Sequence, residues 1–273
     1  MHTQLITEKE FALFQNYLYE HIGLSLPASK QMMLSTRLGK RLRVMQCASF
    51  GDYFQLIRQD RNAQELQILI DLITTHETYF FREPKHFDAL FSQVPPTLPP
   101  GQRVRVWSAA ASSGEEAYSA AMVLANVLPA ETQWEIVGTD ISTQVLETAR
   151  RGLYSVDQAE RIPAAYLKKW CLKGKGHFDG TLLIDKELRR RVQFKPFNLT
   201  GPLHELGLFD VIFLRNVTIY FDPPTKRRVV TNVAQQLRPG GWLMMGHAEP
   251  LLDRYSGLNQ ISTAIYRKAE MNA

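Results

Sequence analysis

The sequence has little cysteine: two residues, Cys47 and Cys171, in a chain of 273. They lie far apart, and no zinc-ribbon or redox spacing is present. No apolar run approaches the roughly 18 residues that a membrane-spanning helix requires. The start, Met1-His2-Thr3-Gln4-Leu5, has no basic segment leading into an apolar one, so no secretory signal is expected and a cytoplasmic protein is the simple reading. Neither sign of charge dominates: 32 Lys and Arg stand against 27 Asp and Glu, a net of +5. That surplus mildly favours an acidic partner without selecting nucleic acid, for which no recognised motif is present. The G-x-G-x-x-G turn of dinucleotide sites is missing. His76-Glu77 begins like a zinc-protease helix, but Phe80 stands where H-E-x-x-H needs its second histidine, and no metal is expected.

What is present is an ordinary globular composition, 45% hydrophobic and 22% charged. Residues 1–91 read as helices only, an N-terminal helical domain. Thr7 with Glu10 forms a capping-box pattern ahead of Phe11, Phe14, Leu18 and Ile22 at helical spacing, and Gly23 can end that helix. Pro27 can open a second helix with Leu34, Leu38, Leu42 and Met45 on one face. Phe50, Tyr53, Phe54 and Ile57 suggest a third, and Asn62 with Glu65 can cap a fourth carrying Leu66, Leu69, Ile70 and Ile73. Pro95, Pro96, Pro99 and Pro100 predict a stiff linker over residues 92–102.

From residue 103 to 273 the pattern alternates. Strands are expected at 104–107, 134–138, 209–214 and 242–245, with helices at 115–127, 143–151 and 224–237. Alternation of this kind predicts an α/β domain with a parallel sheet covered on both faces. Residues 173–195, with Gly174, Gly176 and Gly180, interrupt it and predict a small inserted antiparallel hairpin.

Ligands of such sheets bind beyond the carboxyl ends of the strands. The first strand is followed by Ser108-Ala109-Ala110-Ala111-Ser112-Ser113-Gly114-Glu115-Glu116, whose small side chains allow close approach. Ser112 with Glu115 and Ser113 with Glu116 both match capping boxes, so either glutamate is a cap or a ligand contact. The second strand ends in Gly138-Thr139-Asp140, and an acid there can accept from both hydroxyls of a ribose. Two glutamates in the first helical turn repel a pyrophosphate, which disfavours a nicotinamide dehydrogenase. A nucleoside with cationic groups and no phosphate fits better, and S-adenosylmethionine is such a ligand.

Four segments carry a family resemblance: Thr75-His76-Glu77-Thr78-Tyr79-Phe80-Phe81-Arg82-Glu83, Val106 through Glu116, Gly138-Thr139-Asp140-Ile141, and Phe209 through Val217 continuing as Thr218-Ile219-Tyr220-Phe221-Asp222. The set resembles the chemotaxis receptor methyltransferases, the CheR family, over nearly the whole chain. The resemblance implies a class I, Rossmann-like methyltransferase sheet behind an N-terminal helical domain, with a small inserted β subdomain. It implies S-adenosyl-L-methionine as cofactor, S-adenosyl-L-homocysteine as product, and methyl esters formed on glutamates of chemoreceptors. By the same resemblance His76, Thr78 and Arg82 contact the cofactor, Glu116 holds its amino end, Asp140 its ribose, and Asn198 and Leu199 lie near the adenine. Asn216 and Val217 line the pocket under the sulfur, and Arg82 and Tyr220 are the catalytic pair. His76 departs from the asparagine of many relatives and offers fewer hydrogen-bonding groups.

Glutamate carboxylates are ionised at neutral pH, with a reference pKa of about 4.3, so an attack on a sulfonium methyl needs neither general base nor metal. At 100° per residue, Lys30, Arg37, Lys40 and Arg41 share one arc beside the apolar stripe of the second helix, a candidate strip for docking an acidic receptor helix. In some relatives the inserted β subdomain also captures a receptor's C-terminal tail by adding a strand.

Overall fold

The computed structural model describes residues 5–59, 63–98, 101–251 and 257–270. Four helices come first: α1 Glu8–Ile22, α2 Gln31–Val44, α3 Phe50–Arg58 and α4 Ala63–Ile73. The capping box at Thr7 forms, and Gly23 closes α1 in the left-handed region. Pro27 precedes a 3₁₀ turn, so α2 starts later than the proline suggests. The apolar faces read from the sequence meet in one core, with Phe14, Leu18, Leu34, Leu38, Phe50, Tyr53 and Leu69 all at 0% exposure. The Asn62 cap lies outside the described residues.

A fifth helix, α5 Pro84–Ser92, was not anticipated, because Arg82 and Glu83 interrupt the apolar pattern before it. Its Phe87, Ala89 and Leu90 pack with Phe80 and Val94 against the sheet domain, not against the first four helices. The stretch 92–102 is no free tether either: Pro95–Thr97 form a 3₁₀ turn, Val94 is buried and Leu98 packs on the same core. Pro99 and Pro100 lie outside the described residues.

Beyond it run β1 Val104–Ser108, α6 Glu115–Val127, β2 Trp134–Asp140, α7 Thr143–Arg151, β3 Leu153–Ser155, α8 Ala164–Trp170, β4 Cys171–Lys173, β5 Thr181–Ile184 and α9 Lys186–Arg189. They are followed by β6 Val192–Pro196, β7 Phe209–Leu214, α10 Pro223–Gln235, β8 Leu237–Met245, β9 Leu258–Ser262 and β10 Ile265–Lys268. The main sheet has seven strands in the order β6-β2-β1-β7-β8-β10-β9. The first five are parallel, and β10 runs antiparallel to both neighbours. The order reverses between β1 and β7, which places a ligand crevice at the ends of β1, β2 and β7.

The inserted subdomain is real, but its limits differ from the sequence expectation of 173–195. It is a three-stranded antiparallel sheet, β3-β5-β4, beginning at Leu153 and ending at Ile184. Val192–Phe194 do not pair with Leu183; they belong to β6, parallel to β2 at the sheet edge. Alternating apolar residues look alike in an edge strand and in a hairpin arm, so pattern alone could not separate them. The insertion braces the crevice: Tyr154 donates to Ser113 O at 2.7 Å and Gln158 to Glu115 at 3.0 Å.

The helical unit closes over the crevice. Gly23 allows this, since a Cβ there would stand 2.7 Å from Thr200 Cγ2. Leu24 bridges Phe221, and Ser25 N donates to Tyr220 O at 2.9 Å. Asp71 on α4 accepts from Thr143 N at 3.0 Å, a carboxylate at the start of α7.

Candidate functional site

The crevice is a cavity of about 340 Å³ between the two units. Ile22 through Pro27 and Ile73 through Thr78 form one wall, and the strand ends of the sheet form the other. Ala109 and Ala110 keep the β1 side low. Gly138 serves packing behind it, because a Cβ there would meet the Phe194 ring at 2.6 Å.

Neither capping box of α6 forms. Its N-cap is Gly114 at φ 98 with no side-chain cap. Glu115 turns away and is buried against Ser113 and Gln158. Glu116 is thereby left to face the cavity. Its carboxylate accepts from Ser108 Oγ at 2.6 Å and from Arg215 Nη1 at 2.8 Å. Burial pushes the Glu116 carboxyl above its ordinary range, against the opposing pull of Arg215.

Asp140 ends β2 and is 8% exposed. It accepts from Ser112 N at 2.9 Å and Ser142 N at 3.0 Å, which spans the turns after β1 and β2. Burial raises its carboxyl too, opposed by those two amides. His76 reaches Thr74 Oγ1 at 2.7 Å, and burial lowers its basicity and favours the neutral ring.

The segment 76–83 is held by a residue that sequence reasoning passed over. The Arg215 side chain is 1% exposed at the end of β7. It meets Glu116, Glu83 at 3.2 Å and the Arg82 carbonyl at 2.5 Å. Burial opposes ionisation of Glu83, but Arg215 and His247 hold its carboxyl below its ordinary range. Two non-glycine residues lining the cavity, Ser112 and Asn216, have left-handed backbone, as do Phe81 and Glu83 on either side of Arg82. Such conformations cost on the order of 1 kcal/mol or more each and persist where surrounding bonds impose them.

Arg82 is the contrast. It is half-buried on the cavity wall, donates to Glu77 O at 2.6 Å and lies 5.7 Å over the Tyr79 ring. Among the described residues it has no carboxylate partner. Tyr220 lines the same cavity, and burial raises its hydroxyl above the ordinary value.

Comparison with known proteins agrees with this arrangement. Residues 76–266 match the family model described as CheR methyltransferase, SAM binding domain, and residues 9–74 match its all-alpha domain. The chain is 37% identical over 265 residues to chemotaxis protein methyltransferase 2 of Pseudomonas aeruginosa, covering 96% of this chain and 94% of that one. It is 36% identical to the chemotaxis protein methyltransferase of Klebsiella aerogenes, covering 97% and 89%, and 36% identical to that of Escherichia coli K12, covering 89% and 85%.

The chain belongs to the CheR methyltransferase family.

Its cofactor is S-adenosylmethionine, and the cavity suits that molecule. The buried Asp140 and the largely buried Glu116 both line a space bordered by alanines, which suits a ligand with a cationic end and a polyol. His76, Thr78, Arg82, Glu116, Asp140, Asn198, Leu199, Asn216, Val217 and Tyr220 all line it. Two have divided duties. The Asn198 amide donates to His21 O at 2.8 Å and accepts from Thr200, so it joins the helical unit to the sheet. Leu199, at 7% exposure, is also core.

The basic strip of α2 does not survive as four free cations. Arg41 is bound by both donors to Glu65, at 2.7 and 2.5 Å, and Tyr53 shares that carboxylate. Arg37 caps the end of α4 through Ile73 O at 2.7 Å and Thr74 O at 3.0 Å. Lys30 and Lys40 are exposed, and Lys30 stands at the cavity mouth. Helical phase could not separate these cases, because the partners lie on another helix. The same holds for Arg215: a single arginine after an apolar strand carries no local signal of burial.

Proposed function

We propose that this CheR-family methyltransferase esterifies glutamate side chains on the cytoplasmic helices of chemoreceptors. The observation that carries the reading is Arg82: a guanidinium with no carboxylate partner among the described residues, on the wall of the cavity that Glu116 and Asp140 also line. An incoming carboxylate supplies the missing partner by charge-assisted hydrogen bonds. S-adenosylmethionine, when bound, supplies an electrophilic methyl on a sulfonium. Glu116 holds its ammonium and Asp140 its ribose, while Arg82 and Tyr220 orient the acceptor oxygen. The acceptor is already ionised at neutral pH, so the residues act by alignment and by excluding water, and no general base is required.

Lys30 and Lys40, both exposed, offer positive charge to an acidic receptor helix at the cavity mouth. No nucleic-acid partner is proposed, and no described helix is long and apolar enough to cross a membrane. The test uses labelled S-adenosylmethionine and receptor-rich membranes. Alkali-labile label on the receptor is expected, and it should vanish in Arg82→Ala while some S-adenosylhomocysteine binding remains by calorimetry. Label that resists alkali removes the carboxylate acceptor, and unchanged turnover in the variant removes Arg82 from the site.

A further inference from the structure

Glu249 follows β8, and its residue is 0% exposed. Its carboxylate faces the loop that carries Asn216, Val217 and Tyr220. One oxygen accepts from Asn216 N at 2.5 Å. The other accepts from Thr218 Oγ1 at 2.9 Å and Ile219 N at 3.1 Å. Gly246 leaves room for this approach, since a Cβ there would stand 2.3 Å from Glu249 Oε2 and 3.0 Å from Asn216 N.

The loop has reason to need an anchor. Asn216 sits at φ 55, a left-handed backbone that asparagine tolerates better than most residues but that still costs energy. Left alone, the residues after β7 would relax, and Asn216 and Tyr220 would leave the cavity wall together. A buried anion that accepts two backbone N–H groups and one hydroxyl fixes both at once. We infer that Glu249 is a positioning residue for methyl transfer, acting through the loop 216–220 on Asn216 and Tyr220. For its turnover arm the inference rests on the proposed function; its structural arm does not.

The deciding variant is Glu249→Gln. The amide has one acceptor oxygen, so its NH₂ must face either Asn216 N–H or Ile219 N–H, and one of those bonds is replaced by repulsion. Amide hydrogen exchange at Asn216 or Ile219, whichever loses its acceptor, should accelerate about ten-fold, the equivalent of one net hydrogen bond. Ester formation per S-adenosylhomocysteine-binding site should fall by about the same factor or more. Combining E249Q with Tyr220→Phe should lower the rate by less than the product of the two single losses, because two residues acting partly through one another are not additive.

Unchanged exchange at both amides overturns the inference, and so do losses that multiply in the double variant. If E249Q does not fold, Glu249→Asp, which withdraws the charge by one carbon, is read in the same way. If the wild-type chain forms no receptor ester, the proposed substrate fails instead, and hydrogen exchange together with S-adenosylhomocysteine affinity still decides the role of Glu249.

Discussion

Replacing Arg215 by methionine is the sharpest test of how the cavity is built. The side chain is 1% exposed and stands between Glu116 at 2.8 Å and Glu83 at 3.2 Å. Methionine fills a similar volume but leaves two largely buried carboxylates facing each other without a cation. Removing one partner of a buried ion pair destabilises by about 3–5 kcal/mol, mostly through the charge left behind. At roughly 2–4 °C per kcal/mol for a chain of this size, the melting temperature should drop by roughly 6–20 °C. The loss should be larger at pH 8 than at pH 6, because protonating one carboxylate relieves the repulsion. Arg215→Lys keeps the charge but not the planar fork, and should recover only part of the stability. Thermal unfolding by circular dichroism at both pH values, with and without S-adenosylhomocysteine, measures this. A shift below about 2 °C at pH 8 would refute the argument, since it would mean that the carboxylates never depended on the guanidinium.

Burial raises the carboxyls of both Glu116 and Asp140, so binding a cationic ligand should release protons. Cofactor affinity should fall as pH drops through those raised values, a decline that begins above the ordinary glutamate value of 4.5, and Glu116→Gln should flatten it in calorimetry. Stability of the empty protein runs the other way: each raised carboxyl contributes most below its unfolded value and progressively less as pH rises through the folded one. Charge reversal at Lys30 and Lys40 should slow receptor methylation and reduce its salt dependence, with cofactor affinity unchanged in the Lys40 variant alone, whereas an unaltered rate would reject docking there. Arg41→Met should instead lower the melting temperature of the whole chain, because it leaves Glu65 buried beside Tyr53 without its cation.

Much of the fold was legible because periodicity is local. Phe11, Phe14, Leu18 and Ile22 mark a helix wherever it packs, and the nearly all-apolar run at 209–214, broken only by Asp210, marks a strand covered on both faces. Asp140 was legible as an acid at a strand end, whereas Glu116 stayed open between a cap and a cavity contact until the structure turned Glu115 away. The errors fell where a residue's role depends on a distant partner. Val192–Phe194 looked like a hairpin arm and proved to be a sheet edge. Arg37 and Arg41 looked like a surface strip and proved to be bonded to α4 and Glu65.

Short-range order along the chain therefore determined the element types and the α/β alternation. Only the tertiary structure decided which charges are neutralised inside the protein and which remain open. Arg215 and Arg82 lie 133 residues apart and meet through a carbonyl contact of 2.5 Å, yet one guanidinium is closed off between two carboxylates and the other has no carboxylate partner among the described residues. Charge pairing of that kind is set by distances through space, and residues near in space can be far apart in sequence.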